Sequence, residues 1–234
     1  MKAILKRELG AYFKSPIGYI FLAVYYFFSG LFFYTTTLSR NIADLTGVFS
    51  SMFMIVLIII PIITMKLLSD EKRQKTDQAT LTAPVTLFSI VFGKYMAALV
   101  VFAAGIAINF VFAVVLSIYA EPAWAVIWGN LLGTFLLGAA FIAIGLFISS
   151  LTESQVIAAI STFAISLFIV MLDATASSIQ WAFVSQLIGW ISFYQRYSAF
   201  TMGILDYSAV VFFLSVAAIF LFLTLRVLDK KRWS

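Results

Sequence analysis

The chain has 234 residues, of which 63% are apolar and 11% charged; its formal net charge is +5, and it has neither cysteine nor histidine. A soluble domain carries about 45–50% apolar and about 25% charged residues, so a water-soluble fold is excluded. Disulfide scaffolds, cysteine or histidine metal sites, haem attachment and serine–histidine or cysteine–histidine catalysis all lack their parts.

Residues 1–14 place Ile4, Leu5, Leu9, Tyr12 and Phe13 on one half of a helical wheel and Lys6, Arg7 and Lys14 on the other, with Glu8 stranded on the apolar side. Pro16 stops the pattern, so an amphipathic helix lying on the membrane surface is expected there; a plain charged tail is the other reading. Six charge-free runs follow. They hold 25 residues between Lys14 and Arg40, 21 between Asp44 and Lys66, 26 between Lys94 and Glu121, 31 between Glu121 and Glu153, 19 between Glu153 and Asp173, and 19 between Asp206 and Arg226. A helix needs roughly 20 apolar residues to cross the bilayer core. A charge at the centre costs about 2.5–3.5 kcal/mol. Six spans are therefore expected at about 17–38, 45–66, 90–119, 124–150, 154–173 and 207–227. The first follows a charged segment and lacks a clear small-residue cleavage site, unlike a signal peptide.

Between spans two and three, residues 69–84 read as a short charged helix. Ser69 is a candidate N-cap, Asp70 and Glu71 stand in the first turn, Lys72, Arg73 and Lys75 follow, and Pro84 disfavours continuation. The turn Ser149–Gln155 between spans four and five is tight, with Thr152 or Ser154 as cap. Residues 174–195 are also uncharged but rich in Gln and Ser, and would make a seventh span. Charge asymmetry favours six. With six spans, both termini and the loops near 67–94 and 149–155 share one side, which then holds 13 of the 15 basic residues, leaving Arg40 and Arg196 opposite. By the positive-inside bias that side is cytoplasmic, and 174–206 becomes an outer, re-entrant segment. The positive charge is thus an orientation signal, and no nucleic-acid partner is expected.

Three segments together resemble the permease subunits of ABC-2-type ABC transporters, closest to the gliding-motility-type and multicopper-enzyme-maturation branch. The first runs from Met65 through Ser69-Asp-Glu-Lys-Arg, Thr76, Leu81-Thr82 and Pro84-Val85 to Gly93-Lys94; Lys75 stands where the family has glycine, Gln78 where an acid is usual, and Ala79-Thr80 in part of a leucine run. The second is Phe147-Ile-Ser-Ser-Leu-Thr152-Glu-Ser-Gln155. The third runs from Gly203-Ile-Leu-Asp206 through Phe212-Phe-Leu-Ser and Phe220-Leu-Phe-Leu-Thr224 to Arg232-Trp233.

The resemblance implies an all-α integral membrane protein: a single domain over 1–234 with six transmembrane helices, an N-terminal interfacial helix over 1–14 and a re-entrant segment over 174–206. It implies a pair of permeases, two copies or this chain with a related one, on two cytoplasmic ABC ATPase subunits in the bacterial inner membrane, both termini cytoplasmic. The loop over 69–84 becomes the coupling helix, with Asp70, Glu71, Lys72, Arg73, Thr76, Leu81, Thr82 and Pro84, joined by Thr152 and Glu153, as the ATPase-coupling residues. The chain itself has no Walker motif, since Gly93-Lys94 has Phe88 where the first glycine belongs and Tyr95 after the lysine. No catalytic residue, metal or cofactor is expected in this chain; ATP and Mg belong to the partner.

Inside the spans, Asn109 and Asn130 are the candidates for a substrate path, although such amides commonly bond across helices. Gly129-x-x-x-Gly133, with Gly138 and Ala139, offers a smooth packing face. No ionisable residue sits mid-span, which argues against an ion-driven carrier, a channel or an intramembrane hydrolase. The rival from another class is a non-transporting scaffold that anchors an ATPase and passes force to an envelope accessory protein, with membrane lipid around either.

Overall fold

Pro16 sets the first corner. In the computed structural model, which describes residues 2–76, 85–176, 189 and 192–233, α1 (Lys2–Lys14) ends two residues before it and α2 (Pro16–Phe32) begins on it. Proline suits a first helical turn and blocks continuation of the preceding one. Gly18 closes the corner, because a Cβ there would lie 2.8 Å from the Tyr12 carbonyl oxygen.

The chain then runs through a π-helical turn (Phe33–Leu38), α3 (Thr46–Thr64), α4 (Ser69–Arg73), α5 (Leu87–Tyr119), α6 (Trp124–Leu151), α7 (Gln155–Ala176), α8 (Phe193–Thr201) and α9 (Tyr207–Trp233). The stretches of α2, α3, α5, α6, α7 and α9 are long and apolar enough to cross a membrane, and no strand occurs among the described residues. This is the all-α membrane architecture expected from composition.

The core is built around α6. Of its most apolar stretch 83% is buried, against 17% for α7 and 22% for α9, so α6 is the hub. Its glycines are the reason neighbours approach so closely. A Cβ on Gly133 would lie 2.6 Å from Phe200 of α8, one on Gly138 would lie 1.9 Å from the Phe102 ring of α5, and one on Gly145 would lie 2.4 Å from Thr64 of α3. The Gly129–Gly133 face therefore serves packing within this chain.

Of the segment expected over 174–206, residues 177–188, 190 and 191 lie outside the described residues. The part that is described folds inward. Ser192 accepts from the Gln195 N–H at 3.1 Å and Asp173 from the Tyr194 N–H at 2.9 Å, which satisfies two donors at the start of α8. Tyr197, 1% exposed, donates to the Phe49 carbonyl at 3.0 Å and shares a hydrogen bond of 3.1 Å with Thr134. At the opposite end, Phe147 of α6 packs on Phe220 of α9 at 5.7 Å, and α9 finishes in Lys230, Lys231 and Arg232. We call this the basic end.

Candidate functional site

At the basic end the stranded Glu8 finds its reason. Lys94 lies seven residues into α5 and is 1% exposed; its Nζ sits 3.2 Å from Glu8 Oε1 and 2.9 Å from Glu71 Oε1. Arg7 Nη2 lies 2.7 Å from the same Glu8 oxygen and 2.8 Å from the same Glu71 oxygen. Two cations and two carboxylates thus alternate in a closed ring that joins α1, α4 and α5. Each charge has two opposite neighbours, which is how an ammonium survives out of water. The hydrogen bond to Glu8 raises the Arg7 guanidinium above its ordinary range against a partial desolvation, with both carboxylates adding to the rise.

Backbone fit makes the ring possible. A Cβ on Gly93 would meet Ile4 at 2.9 Å, so glycine lets α1 lie against α5 where Lys94 can reach across. Tyr12, one turn beyond Glu8, is buried and donates at 2.5 Å to the Ile63 carbonyl in the last turn of α3, whose orphan acceptors need partners. Burial, with the Glu8 charge, pushes its phenol far above the usual range. The stripe of α1 that reads as membrane-facing thus also docks on protein.

A second junction welds the two loops of this end. Ser149, fully buried at the end of α6, donates to the Met65 carbonyl at 3.2 Å and accepts from the Leu68 and Ser69 N–H groups at 3.1 and 3.0 Å. Gln155 Nε2 donates to Asp70 at 2.6 Å, and Lys72 donates to the Ser150 carbonyl. Ser154 rather than Thr152 caps α7, accepting from the Ile157 N–H at 3.4 Å, while Thr152 accepts from the Ser154 N–H at 3.2 Å.

The helix expected over 69–84 is five residues long where it is described, and Ser69 is its first residue rather than its cap; the Ser69 hydroxyl instead donates back to the Met65 carbonyl. Its end has a physical cause. Lys75 is left-handed at φ 57°, with its N–H bonded to the Lys72 carbonyl and the Thr76 N–H to the Glu71 carbonyl, the bonding of a Schellman stop. That conformation favours glycine. It falls on the residue where the family resemblance has one.

The coupling candidates divide accordingly. Asp70, Glu71 and Lys72 turn toward the protein, whereas Arg73 and Thr76 are exposed, as is Glu153 on the neighbouring turn. Arg73 keeps a loose contact of 3.4 Å with Asp70. Leu81, Thr82 and Pro84 lie outside the described residues. Asn109 is far from this face and joins α2 to α5: its oxygen accepts from Ser29 and its nitrogen donates to the Tyr25 hydroxyl at 3.1 Å. Asn130 donates to the Val126 carbonyl one turn back at 2.9 Å, while its buried Oδ1 has no hydrogen-bond partner among the described residues. Reading the sequence alone missed the pairing of Glu8 with Lys94 and the hub role of Ser149. The first left a trace: one acid on an apolar helix face and one lysine inside a long apolar run.

With this geometry in place, the comparison with known families is direct. Residues 1–174, reaching from α1 almost to the end of α7, match the profile of the ABC-2 type transporter. The chain belongs to that family and is the permease component of an ABC transporter, which works with ABC ATPase subunits. Comparison with curated protein sequences gives no match.

Proposed function

We propose that α4 and the α6–α7 turn form the surface that receives the stroke of a separate ATPase, with the basic end cytoplasmic in a bacterial inner membrane. The observation that carries this reading is the weld between the two loops. Ser149 and Ser150 tie the base of α4 to the hub helix and Gln155 ties it to the start of α7, while Arg73, Gln74, Lys75, Thr76 and Glu153 face outward. A push on the exposed residues reaches α6 without an intervening flexible joint. Such a push selects between two packings of the spans.

ATP and Mg stay with the ATPase in this reading. Gly93-Lys94 supports it: the pair lies inside a helix, and the lysine is held by two carboxylates rather than aimed at a phosphate loop. Two ATPase subunits and a second permease, this chain again or a relative, complete the machine. The motifs around residues 65–94, 147–155 and 203–233 favour the gliding-motility-type branch. Arg73→Glu and Glu153→Lys test the surface, since both positions are exposed. Each should weaken ATPase binding about tenfold and lower stimulated hydrolysis, with unchanged unfolding of the permease. Wild-type stimulation in the double mutant defeats the assignment.

A further inference from the structure

Beside the charge ring, between α1 and the ends of α2 and α3, lies a half-open cleft of ≈ 330 Å³. Its walls are of two kinds. Lys66 and Asp70 join the four ring residues, and Tyr12, Ile17 and Leu67 form an apolar floor. Three bases and three acids line the cleft, so what distinguishes them is which are already paired. The ring is internally balanced, and Asp70 is taken by Gln155 and Arg73, at 2.6 and 3.4 Å. Lys66 makes no ion pair among the described residues, so its charge remains for a ligand. Arg7 offers more: its bonds to Glu8 and Glu71 run from Nε and Nη2, and its side chain is 54% exposed.

The level of the cleft narrows the choice of anion. Lys66 ends the 21-residue uncharged run that carries α3, and Ile17 sits in the first turn of α2, directly after Lys14 and Pro16. Both spans leave the apolar layer here, which is where a bilayer presents its phosphates. We propose that this cleft holds the phosphodiester of a phospholipid headgroup, bonded by Lys66 Nζ and the outward edge of the Arg7 guanidinium, with the glycerol end against Tyr12, Ile17 and Leu67. Lysine and arginine both bind phosphate oxygens through charge-assisted hydrogen bonds. A free phosphate would leave the apolar floor unused.

The test needs only the purified permease, so it stands or falls apart from any ATPase coupling. Purified protein in mild detergent is loaded with phosphatidylglycerol, and the lipid retained after washing is counted by native mass spectrometry. Wild type and Lys66→Arg should retain one tightly held lipid. Lys66→Gln should retain about fivefold less, the loss expected for one interfacial charge. Lys6→Gln, an exposed lysine outside the cleft, should match wild type. Millimolar inorganic phosphate should leave the lipid in place. Equal retention in Lys66→Gln and wild type overturns the proposal, as does equal loss in the Lys66→Gln and Lys6→Gln variants. Displacement by inorganic phosphate would make the cleft a free-anion site and also overturns it.

Discussion

Lys94 stands roughly 10 Å inside a helix that is otherwise uncharged over its length, and its side chain is only 2% exposed. A ring buried at Lys94 and Glu8 and open at Arg7, whose side chain is 54% exposed, is weak evidence of net stability, because desolvation offsets much of the attraction. Breaking it is another matter. Lys94→Met would leave Glu8 and Glu71 sharing one guanidinium at close range, at a cost of about 3 kcal/mol. Glu8→Gln added to Lys94→Met removes one charge of each sign and should restore at least about 1 kcal/mol of that loss. Denaturant unfolding of the single and double mutants in detergent checks both; a Lys94→Met protein as stable as wild type would show that the ring carries no weight. Lys75 makes the opposite case. Its left-handed backbone costs an L-residue about 1 kcal/mol, so Lys75→Gly should stabilise the stop after α4 by about that amount, read in the same assay.

Elements are held together here by glycines as much as by apolar stripes. Gly93 is the clearest case: Gly93→Ala would press a methyl into Ile4, lift α1 from α5 and pull Glu8 away from Lys94. The chain lacks cysteine, so a single Leu5→Cys reporter can follow this. Maleimide labelling of that cysteine should be faster with Gly93→Ala than without it, and Ile4→Ala should restore the slow rate by making room. Unchanged labelling would place α1 docking elsewhere. This scale also shows what the sequence disclosed. Apolar runs bounded by charges marked the six helices that, among the described residues, are long and apolar enough to cross a membrane, because a mid-span charge is expensive whatever the packing. The hub role of α6 was not visible in that way, since a helix apolar all round gives no directional signal. Its glycines hinted at close approach, but pairing Gly138 with Phe102 and Gly133 with Phe200 requires the tertiary contacts themselves. The coupling face was half legible. Ser69–Thr76 stood out as the charged loop, but the weld to Ser149 joins residues about 80 positions apart, and no local pattern encodes it.

At the scale of the whole molecule, α6 spans roughly 42 Å and carries two polar junctions about 22 Å apart. At the basic end Ser149 holds the base of α4; near the middle of the helix Thr134 meets Tyr197 of α8. Removing either hydroxyl costs stability of the same kind. Ser149→Ala leaves two buried N–H groups short of a partner, while the Met65 carbonyl keeps the Ser69 hydroxyl, and Tyr197→Phe takes one hydrogen bond each from the Phe49 carbonyl and the Thr134 hydroxyl, each about 1–3 kcal/mol. Their effects on a partner ATPase should differ. With α4 loosened from the hub, a stroke on Arg73 and Thr76 is absorbed locally, so Ser149→Ala should lower permease-stimulated ATP hydrolysis. Tyr197→Phe lies about 22 Å along α6 from that joint and should leave stimulation near wild type at matched folded protein. Side-by-side hydrolysis assays on reconstituted complexes, normalised by unfolding curves, separate the two. Equal losses in both variants would mean that stimulation follows global stability alone, and that the weld at Ser149 is no transmission joint.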